Sequence, residues 1–279
     1  MEKRVLEPRY APVGVLDSGV GGLTVVRKMK EILPYESILY FGDTGRLPYG
    51  PRPLSEVRRF VSEIVDFLSG MGAKAIVIAC NTATAAALDL IEKSFKGPVV
   101  GVIGPGARAA LKAAGGRSGR VGLIATQGTV DSGAYDMELE RLGLDLPPVK
   151  KACPELVLLA ERGLQDENEV RSTIRRLLGV FHTEKVDCLI LGCTHFPLLS
   201  QYIREELPGI KLVDPAEEAV LELKEKLSRR DLLADELAAP RYLFYTSGDE
   251  VAFRKNLGVI LGKGDYSVQK VSFQDDSSG

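Results

Sequence analysis

The sequence predicts an α/β fold made of two similar parallel-sheet domains, and three observations lead to this prediction. Short apolar runs alternate with amphipathic helical stretches along most of the chain, which is the pattern of parallel strands covered by helices. Two of these runs, residues 75–84 and 189–195, reach a cysteine and then become polar. Residues 121–126 also resemble residues 13–18, and their offset of 108 positions is close to the 113 positions between the two cysteines. The similar offsets hint at two similar halves.

The composition limits the classes of protein to consider. The 279 residues are enough for two medium domains, each able to bury a core. Lysine and arginine (36) nearly balance aspartate and glutamate (38), and no long basic block occurs, so we expect neither nucleic acid nor a membrane surface as a partner. The four cysteines lack the spacing of a disulfide framework and the chain does not begin with a secretory pattern. Free thiols and a cytoplasmic location are therefore predicted.

Strand and helix patterns alternate strictly in the first half of the chain. Strands are predicted at residues 13–16, 38–42, 75–79 and 98–102, and helices at residues 23–33, 54–69, 83–95 and 104–114. The second of these helices carries Val57, Val61 and Leu68 on one apolar stripe, which predicts that one face packs on a sheet. We assign residues 1–103 to the first domain.

The second half continues the alternation and then returns to the first domain. Strands are predicted at residues 121–125, 189–195, 211–213, 241–245 and 267–271, and helices at residues 131–142, 167–181, 196–207, 217–230 and 250–257. The second domain is predicted to span residues 104–211, and residues 212–279 are expected to complete the first. Residues 1–12 and 274–279 have no periodicity and are predicted to be loose ends.

Five side chains that could bind a ligand or take part in catalysis follow directly after predicted strands: Asp17, Asp43, Cys80, Thr126 and Cys193. The carboxyl ends of parallel strands meet at one edge of a sheet, and open α/β sheets bind ligands there. Two domains set edge to edge would enclose a small site with a thiol on each side, bordered by helix N-termini that favour anions. Such a site suits a small zwitterion, with its carboxylate on backbone N–H groups and its ammonium near Asp17.

Two opposed thiols suit the inversion of a stereocentre. One thiolate removes a proton from one face of a carbon while the other thiol delivers a proton to the opposite face. A free thiol has a pKa of about 8.5, so a modest shift supplies either form near neutral pH. His195 lies two residues after Cys193 and is a candidate proton partner.

Several features have a plainer explanation. Cysteine is often a core residue, and Cys153 and Cys188 lack a polar strand end, so both are predicted to be structural. The glycines at residues 19–22 resemble a phosphate loop, but no lysine follows them and Asp17 would repel a phosphate. With two histidines in the chain and unsuitable cysteine spacing, a zinc site is not predicted.

Four motifs make the chain resemble the glutamate racemases of the aspartate/glutamate racemase superfamily over residues 13–216. The motifs are Leu-Asp-Ser-Gly-Val-Gly-Gly-Leu at residues 16–23, Gly-Asp-Thr at 42–44 with Pro-Tyr-Gly at 48–50, Ala-Cys-Asn-Thr-Ala at 79–83, and Gly-Cys-Thr-His-Phe-Pro at 192–197. The resemblance implies a cofactor-independent isomerase whose active site lies between two α/β domains. It further implies D-glutamate biosynthesis for peptidoglycan, and so a part in cell wall biogenesis and cell shape, by a cytoplasmic homodimer.

The resemblance also implies roles for particular residues. Cys80 would act on D-glutamate and Cys193 on L-glutamate, with Asp17 assisting the first thiol and His195 the second. The implied substrate contacts are Asp17, Ser18, Tyr49, Gly50, Asn81, Thr82, Thr194 and His195. No metal and no cofactor is implied, and glutamate is the expected small-molecule partner.

Two stretches depart from the family pattern. Glu161 stands where the family often carries a glutamate, but the surrounding Glu155, Leu158 and Ala160 replace more apolar residues or a proline. Gly45 stands where alanine is usual. These departures leave the role of Glu161 and the shape of the pocket open.

Other functions remain compatible with the residues alone. On the same fold, a racemase of aspartate or another amino acid would differ in pocket size. A cysteine hydrolase would use Cys193 with His195 and would not need Cys80. A non-catalytic amino-acid-binding protein would bind its ligand without exchanging the α-proton, and a pyridoxal phosphate enzyme would require a Schiff-base lysine.

Overall fold

The computed structural model describes residues 7–262, 264 and 266–273, which form two α/β domains built on parallel sheets. The strands are β1 Val13–Asp17, β2 Ile38–Gly42, β3 Ala75–Ile78, β4 Val99–Gly101, β5 Val121–Ala125, β6 Val149–Ala152, β7 Cys188–Gly192, β8 Lys211–Val213, β9 Tyr242–Thr246 and β10 Ser267–Lys270. The helices are α1 Leu23–Ile32, α2 Leu54–Gly70, α3 Asn81–Ser94, α4 Ile103–Ala113, α5 Gln127–Asp131, α6 Ala134–Arg141, α7 Pro154–Glu161, α8 Glu167–Thr183, α9 Ser200–Glu206, α10 Pro215–Ser228 and α11 Glu250–Leu261. Short 3₁₀ turns occupy Pro8–Tyr10 and Phe196–Leu199.

The larger sheet has the strand order β10-β9-β2-β1-β3-β4, and the smaller has the order β6-β5-β7-β8. Every pairing is parallel. The central strands β1 and β7 are buried at every residue, which explains why they are apolar runs without alternation. Among the described residues, no helix has the length and apolar character that crossing a membrane requires.

The two halves that the offsets suggested occupy equivalent places in the two sheets. Strand β1 pairs with β3, and Val13 lies beside Ala75. Strand β5 pairs with β7 in the same way, and Val121 lies beside Cys188. The pair β1 and β3 in the larger sheet is therefore equivalent to the pair β5 and β7 in the smaller sheet. In each pair, the second strand leads to one of the two cysteines.

The pairing of the strands suggests where the boundary between the two domains lies, and we give this boundary as a proposal. Strand β8 pairs with β7, so the expected boundary at residue 212 falls inside a strand of the smaller sheet. Helix α10, by contrast, packs Ala219 and Leu223 into the core of the larger sheet. Strand β9 pairs with β2. We therefore propose that the chain returns to the first domain at Asp214, between β8 and α10.

The elements differ from the prediction in four places. Helix α7 is absent from the predicted set. The helix expected at residues 196–207 starts as the 3₁₀ turn Phe196–Leu199, which leads into α9. Strand β6 is absent from the predicted set because its Lys150 and Lys151 break the apolar pattern, and as an edge strand it is only partly buried. The helix expected at residues 131–142 is replaced by α5 and α6, separated at Gly133, whose φ of 64° interrupts the helix. Of the loose ends expected at residues 1–12 and 274–279, residues 1–6 and 274–279 lie outside the described residues. Residues 7–12 are not loose, because Pro8–Tyr10 forms a 3₁₀ turn and the Tyr10 hydroxyl donates to Asp235 at 3.1 Å.

Candidate active site

A narrow cavity lies between the two domains, at the carboxyl ends of the central strands. Its walls come from both domains, and both cysteines of the repeated motifs, Cys80 and Cys193, contribute to them. The lining residues are Ser18, Leu47, Pro48, Tyr49, Gly50, Cys80, Asn81, Thr82, Thr126, Val157, Gly192, Cys193, Thr194 and His195. Cys80 and Cys193 are each only 7% exposed, so both thiols are almost completely buried.

Cys80 lies two residues after β3 and caps helix α3. Its Sγ accepts a hydrogen bond from the backbone N–H of Ala83 at 3.5 Å. Burial, together with the nearby carboxylate of Asp17, raises the pKa of the Cys80 thiol to about 11, although hydrogen bonds from Ala83 and Ser18 oppose the rise. Cys80 is therefore a thiol near neutral pH.

Cys193 follows β7 in the second domain and has a histidine as its partner. Its Sγ lies 3.6 Å from Nδ1 of His195. Burial raises the pKa of the Cys193 thiol well above its ordinary value, and the backbone N–H of His195 opposes the shift. On the other side of the ring, Nε2 of His195 lies 3.5 Å from Oε1 of Glu161, within ion-pair distance but without hydrogen-bond geometry. Glu161, Cys193 and His195 thus form one cluster.

Asp17 is completely buried just behind the cavity wall. Its carboxylate accepts hydrogen bonds from the backbone N–H of Gly19 at 3.0 Å and from Oγ1 of Thr194 at 3.2 Å. Burial raises the pKa of the Asp17 carboxyl, and the electrostatic interaction with His195 opposes the rise. The contact with Thr194 joins the two domains. Gly21 permits this approach, because a Cβ there would lie 2.4 Å from Oγ1 of Thr194.

Asp43 lies beneath the loop that carries Tyr49 and Gly50 and is also completely buried. It accepts hydrogen bonds from the Tyr49 hydroxyl, from Nε of Arg46 at 2.8 Å and from Oγ of Ser247 at 2.6 Å. The prediction grouped Asp43 with the side chains of the site. Its observed contacts instead hold the loop that forms one wall.

The structure of the same loop explains why residue 45 is a glycine and not the alanine that is usual in the family. Its backbone N–H donates to Oγ of Ser247 at 2.9 Å. A Cβ at residue 45 would lie 2.8 Å from the Ser247 carbonyl oxygen, which is too close for an alanine without a backbone shift. The departure from the family pattern at Gly45 therefore follows from the close approach of the segment after β9.

Asn81 and Thr82 begin α3 and reach across to the second domain. Oδ1 of Asn81 accepts a hydrogen bond from the Tyr135 hydroxyl at 2.8 Å. Oγ1 of Thr82 lies 2.8 Å from Oγ1 of Thr126. Because both residues are buried and held from the far side, their orientations are set by the packing of one domain on the other.

The cavity brings together most of the side chains that the sequence singled out. All the predicted contacts line it except Asp17, which touches Thr194 behind the wall. Thr126, which the sequence grouped with the site as a strand-end residue, also lines the wall. Val157, on α7, belongs to no sequence motif. It lines the cavity only because α7 packs against the site.

The two remaining cysteines are buried away from the cavity. Sγ of Cys153 donates to the carbonyl of Lys151, and that of Cys188 donates to the carbonyl of Ala110. These contacts agree with a structural role for both thiols. Within the described part of the chain, no group of three or more His, Cys, Asp or Glu side chains has the arrangement of a metal site.

Comparison with known proteins identifies the class of this fold and site. The family model for Asp/Glu/hydantoin racemases matches residues 13–223. The chain belongs to this family of racemases, and it is therefore an isomerase.

Within that family, the similar proteins are glutamate racemases. One from Thermus thermophilus is 44% identical over 95% of this chain and 98% of its own, and one from Symbiobacterium thermophilum is 42% identical over 87% of each chain. The crystal structure of a glutamate racemase isoform from Bacillus anthracis superposes with a TM-score of 0.90 at 43% identity, covering 95% of this chain and 98% of its own. That from Francisella tularensis, in complex with D-glutamate, gives a TM-score of 0.87 at 34% identity with the same coverage. The predicted resemblance to the glutamate racemases is thus confirmed.

Proposed function

We propose that this protein interconverts L-glutamate and D-glutamate with Cys80 and Cys193 as the two acid-base groups. The observation that carries the proposal is the position of the two thiols. They follow equivalent strands of the two sheets, and both line one buried cavity. The Francisella tularensis relative, crystallised with D-glutamate, supports glutamate as the ligand.

The proton transfers balance without an added reagent. From L-glutamate, the Cys193 thiolate takes the α-proton, and the electron pair of the broken C–H bond stays on the carbon as a carbanion. The Cys80 thiol then gives its proton to the opposite face, which forms D-glutamate and leaves a Cys80 thiolate. From D-glutamate the roles reverse, so the two thiols must begin in opposite protonation states.

Burial opposes formation of either thiolate, so each cysteine needs a nearby proton acceptor. For Cys80 we assign this role to Asp17, whose own raised pKa makes its carboxylate a better acceptor than an exposed one. For Cys193 we assign it to His195, whose Nδ1 lies 3.6 Å from the sulfur. The substrate ammonium would also reduce the cost of negative charge at Asp17 and Cys80.

The carbanion needs stabilisation at its carboxylate. Helix α3 starts beside Cys80, and its first N–H groups attract negative charge. Hydroxyls of Ser18, Thr82 and Thr194 provide further donors in the lining. In a narrow, buried cavity these dipoles stabilise a developing charge more strongly than water-exposed donors would. We propose these groups, with Tyr49, Gly50 and the remaining predicted contacts, as the substrate-binding residues.

The biological role is proposed from the same resemblance. D-glutamate made by this enzyme would serve peptidoglycan synthesis, and hence cell wall biogenesis and cell shape, and we expect a cytoplasmic homodimer that works without a cofactor. Racemisation of aspartate is the alternative substrate. An aspartate racemase from Picrophilus torridus shares the fold at 22% identity and a TM-score of 0.56, which concerns architecture alone. Turnover of L-aspartate beside L-glutamate separates the two.

The test is α-proton exchange in deuterated water, followed by NMR and chiral analysis. Wild type is expected to form deuterated D-glutamate with no added cofactor, and Cys80→Ala and Cys193→Ala are each expected not to racemise. Cys153→Ser is the matched control, because its hydroxyl retains the hydrogen bond to the Lys151 carbonyl away from the cavity. Wild type that neither exchanges nor inverts glutamate would refute the proposal, and retention of activity by Cys80→Ala would refute the two-thiol mechanism.

A further inference from the structure

Three threonine hydroxyls form a closed triangle at the cavity wall. Oγ1 of Thr82 lies 2.8 Å from Oγ1 of Thr126 and 3.2 Å from Oγ1 of Thr129, and the last two atoms are 3.0 Å apart. Thr82 stands at the start of α3 in the first domain, whereas Thr126 caps α5 in the second and Thr129 lies in its first turn. Thr82 and Thr129 are each only 1% exposed. The triangle is thus a polar contact between the domains that is buried at Thr82 and Thr129 and half-buried at Thr126, which lines the cavity.

A count of hydroxyl hydrogens shows that all three can be used in hydrogen bonds within the triangle. Each hydroxyl has one hydrogen to donate and two lone pairs to accept with. The three contacts use all three hydrogens when they run as a ring. Oγ1 of Thr126 also accepts from the backbone N–H of Thr129 at 3.3 Å, which fills its second lone pair. In the ring, the Thr82 hydrogen points at another threonine and not into the cavity.

We propose that Thr126 and Thr129 are positioning residues that direct the Thr82 hydroxyl onto a carboxylate of the substrate. The inference rests on the proposed function, in which Thr82 contacts that carboxylate. A carboxylate has no hydrogen to offer, so Thr82 must be the donor, and the ring opens into a chain. In this chain Thr129 donates to Thr126, Thr126 donates to Thr82, and Thr82 donates to the anion.

The open chain is a stronger arrangement than the ring once an anion is present. Hydrogen bonds to an ionised acceptor are stronger than those between neutral groups. Successive hydrogen bonds in a chain of this kind also polarise one another, so each donor behind Thr82 strengthens the bond to the ligand. The second domain therefore acts on substrate binding through Thr82, a residue of the first domain.

The surroundings of α5 support a positioning role. The backbone N–H of Gly128, between Thr126 and Thr129, donates to the carbonyl of Gly50 at 2.8 Å. A Cβ on Gly50 would lie 2.9 Å from Cβ of Thr126, so the two segments are closely packed. The first turn of α5 therefore holds two predicted substrate contacts, Gly50 and Thr82, and is well placed to fix their spacing.

The experiment measures kcat and KM for L-glutamate in variants of the triangle. Thr126→Val and Thr129→Val are each expected to raise KM, by about tenfold for Thr126→Val, with a smaller change in kcat. Thr126→Ser keeps the hydroxyl and is expected to restore KM to within about twofold of wild type. Ser132→Ala is the matched control, because its hydroxyl donates to the Thr129 carbonyl and not to the triangle.

Two further measurements separate positioning from simple folding effects. Thr126→Val also removes the cap of α5, but Thr129→Val keeps the backbone N–H that Thr126 accepts, so a raised KM in Thr129→Val cannot come from loss of that cap. In a Thr82→Val background, Thr126→Val is expected to cause no further rise in KM, since the donor it acts through is gone. Thermal midpoints of all variants are recorded beside the kinetics.

The outcomes are distinguishable from failure of the proposed function. If wild type does not racemise glutamate, the function itself is wrong. If wild type racemises glutamate but Thr126→Val and Thr129→Val keep the wild-type KM, the positioning inference is overturned. It is also overturned if Thr126→Val has its full effect in the Thr82→Val background, or if Thr126→Ser is no better than Thr126→Val.

Discussion

The two cysteine strands end alike and continue differently. After β3 the chain enters α3, a helix of 14 residues, and Cys80 caps that helix. After β7 it enters a 3₁₀ turn of four residues, and Cys193 has the imidazole of His195 beside it instead. Cys80 thus has a helix N-terminus and the Asp17 carboxylate as its environment, whereas Cys193 has an imidazole and Glu161. Repetition of a strand pattern places two thiols at one cavity, but the segment after each strand decides which groups surround each thiol.

The largest expected effect concerns the proton partners. Substituting His195→Asn or Asp17→Asn should lower kcat/KM by about 10²–10⁴-fold, since each removes one proton acceptor. Because the two enantiomers of glutamate are equally stable, kcat/KM must fall equally in both directions. The difference between the sites should appear in deuterium isotope effects. In His195→Asn the effect should be larger for α-deuterated L-glutamate, since transfer to Cys193 becomes the slow step, and in Asp17→Asn it should be larger for the D-enantiomer.

Wild type provides the reference for these isotope effects, and circular dichroism of each variant checks that the fold is kept. Equal isotope effects for both enantiomers in both variants would contradict the assignment of one partner to each thiol. A larger effect for the D-enantiomer in His195→Asn would reverse the assignment.

A second expected difference is the rate of alkylation. Both cysteines are 7% exposed, so access to reagent is similar, but the pKa of Cys80 is raised to about 11 and that of Cys193 is raised further. The reactive thiolate should therefore form first at Cys80 as the pH rises. Without substrate and above pH 9, we expect iodoacetamide to label Cys80 faster than Cys193, because the labelling rate follows the thiolate fraction.

Peptide mass spectrometry measures the labelling at each residue, and the fully buried Cys153 and Cys188 serve as slow internal controls. Labelling of Cys193 ahead of Cys80 at every pH would contradict the order of thiolate formation.

A smaller effect on stability and KM is expected from the loop with Tyr49, which forms one wall of the cavity. This loop depends on the segment after β9. Ser247→Ala removes the hydrogen bond to the buried Asp43 and the one from the Gly45 N–H. We expect the free energy of unfolding to fall by about 1–3 kcal/mol and KM to rise, since Asp43 also holds Tyr49. Urea unfolding and steady-state kinetics measure the two effects.

Ser62→Ala is the control for this substitution, because its hydroxyl donates only to the Arg58 carbonyl one helical turn away. It is expected to change stability by less than about 0.5 kcal/mol. If Ser247→Ala were as mild as this control, the loop with Tyr49 would not depend on the C-terminal segment.

The smallest expected effect is on stability at Asp17. Burial raises the pKa of this carboxyl, so the folded protein binds its proton more tightly than the unfolded chain does. Its contribution to stability is therefore greatest below the ordinary aspartate pKa of about 3.9 and is lost as the pH rises through the raised value. Asp17→Asn should raise the thermal midpoint at pH 7 by about 2–4 °C, for a gain of about 1 kcal/mol, while activity falls.

This gain should shrink as the pH is lowered towards 4, where the wild-type carboxyl is protonated. Differential scanning calorimetry across this range measures it. A midpoint that drops at pH 7 in Asp17→Asn would mean that the hydrogen bonds from Gly19 and Thr194 outweigh the cost of burying the charge.

The sequence by itself determined most elements of the fold and the position of both thiols at the ends of strands. Strands buried on both faces are continuous apolar runs, and amphipathic helices have an apolar stripe, so both are visible in a local pattern. The polar residue at which an apolar run stops is equally visible, and for Cys80 and Cys193 it is followed by a family motif. The repeated offset correctly indicated equivalent central strands, because a duplicated pattern of burial survives in the residues themselves.

Only the tertiary structure decided what surrounds those thiols. Asp43 and Cys80 both follow apolar strands, yet Asp43 lies beneath the wall because the segment after β9 packs there and Ser247 binds it. Thr126 lines the cavity because the first turn of α5 packs against Gly50. These contacts join residues far apart in the chain. Their geometry depends on how the two sheets and their covering helices pack, and no local periodicity records that packing.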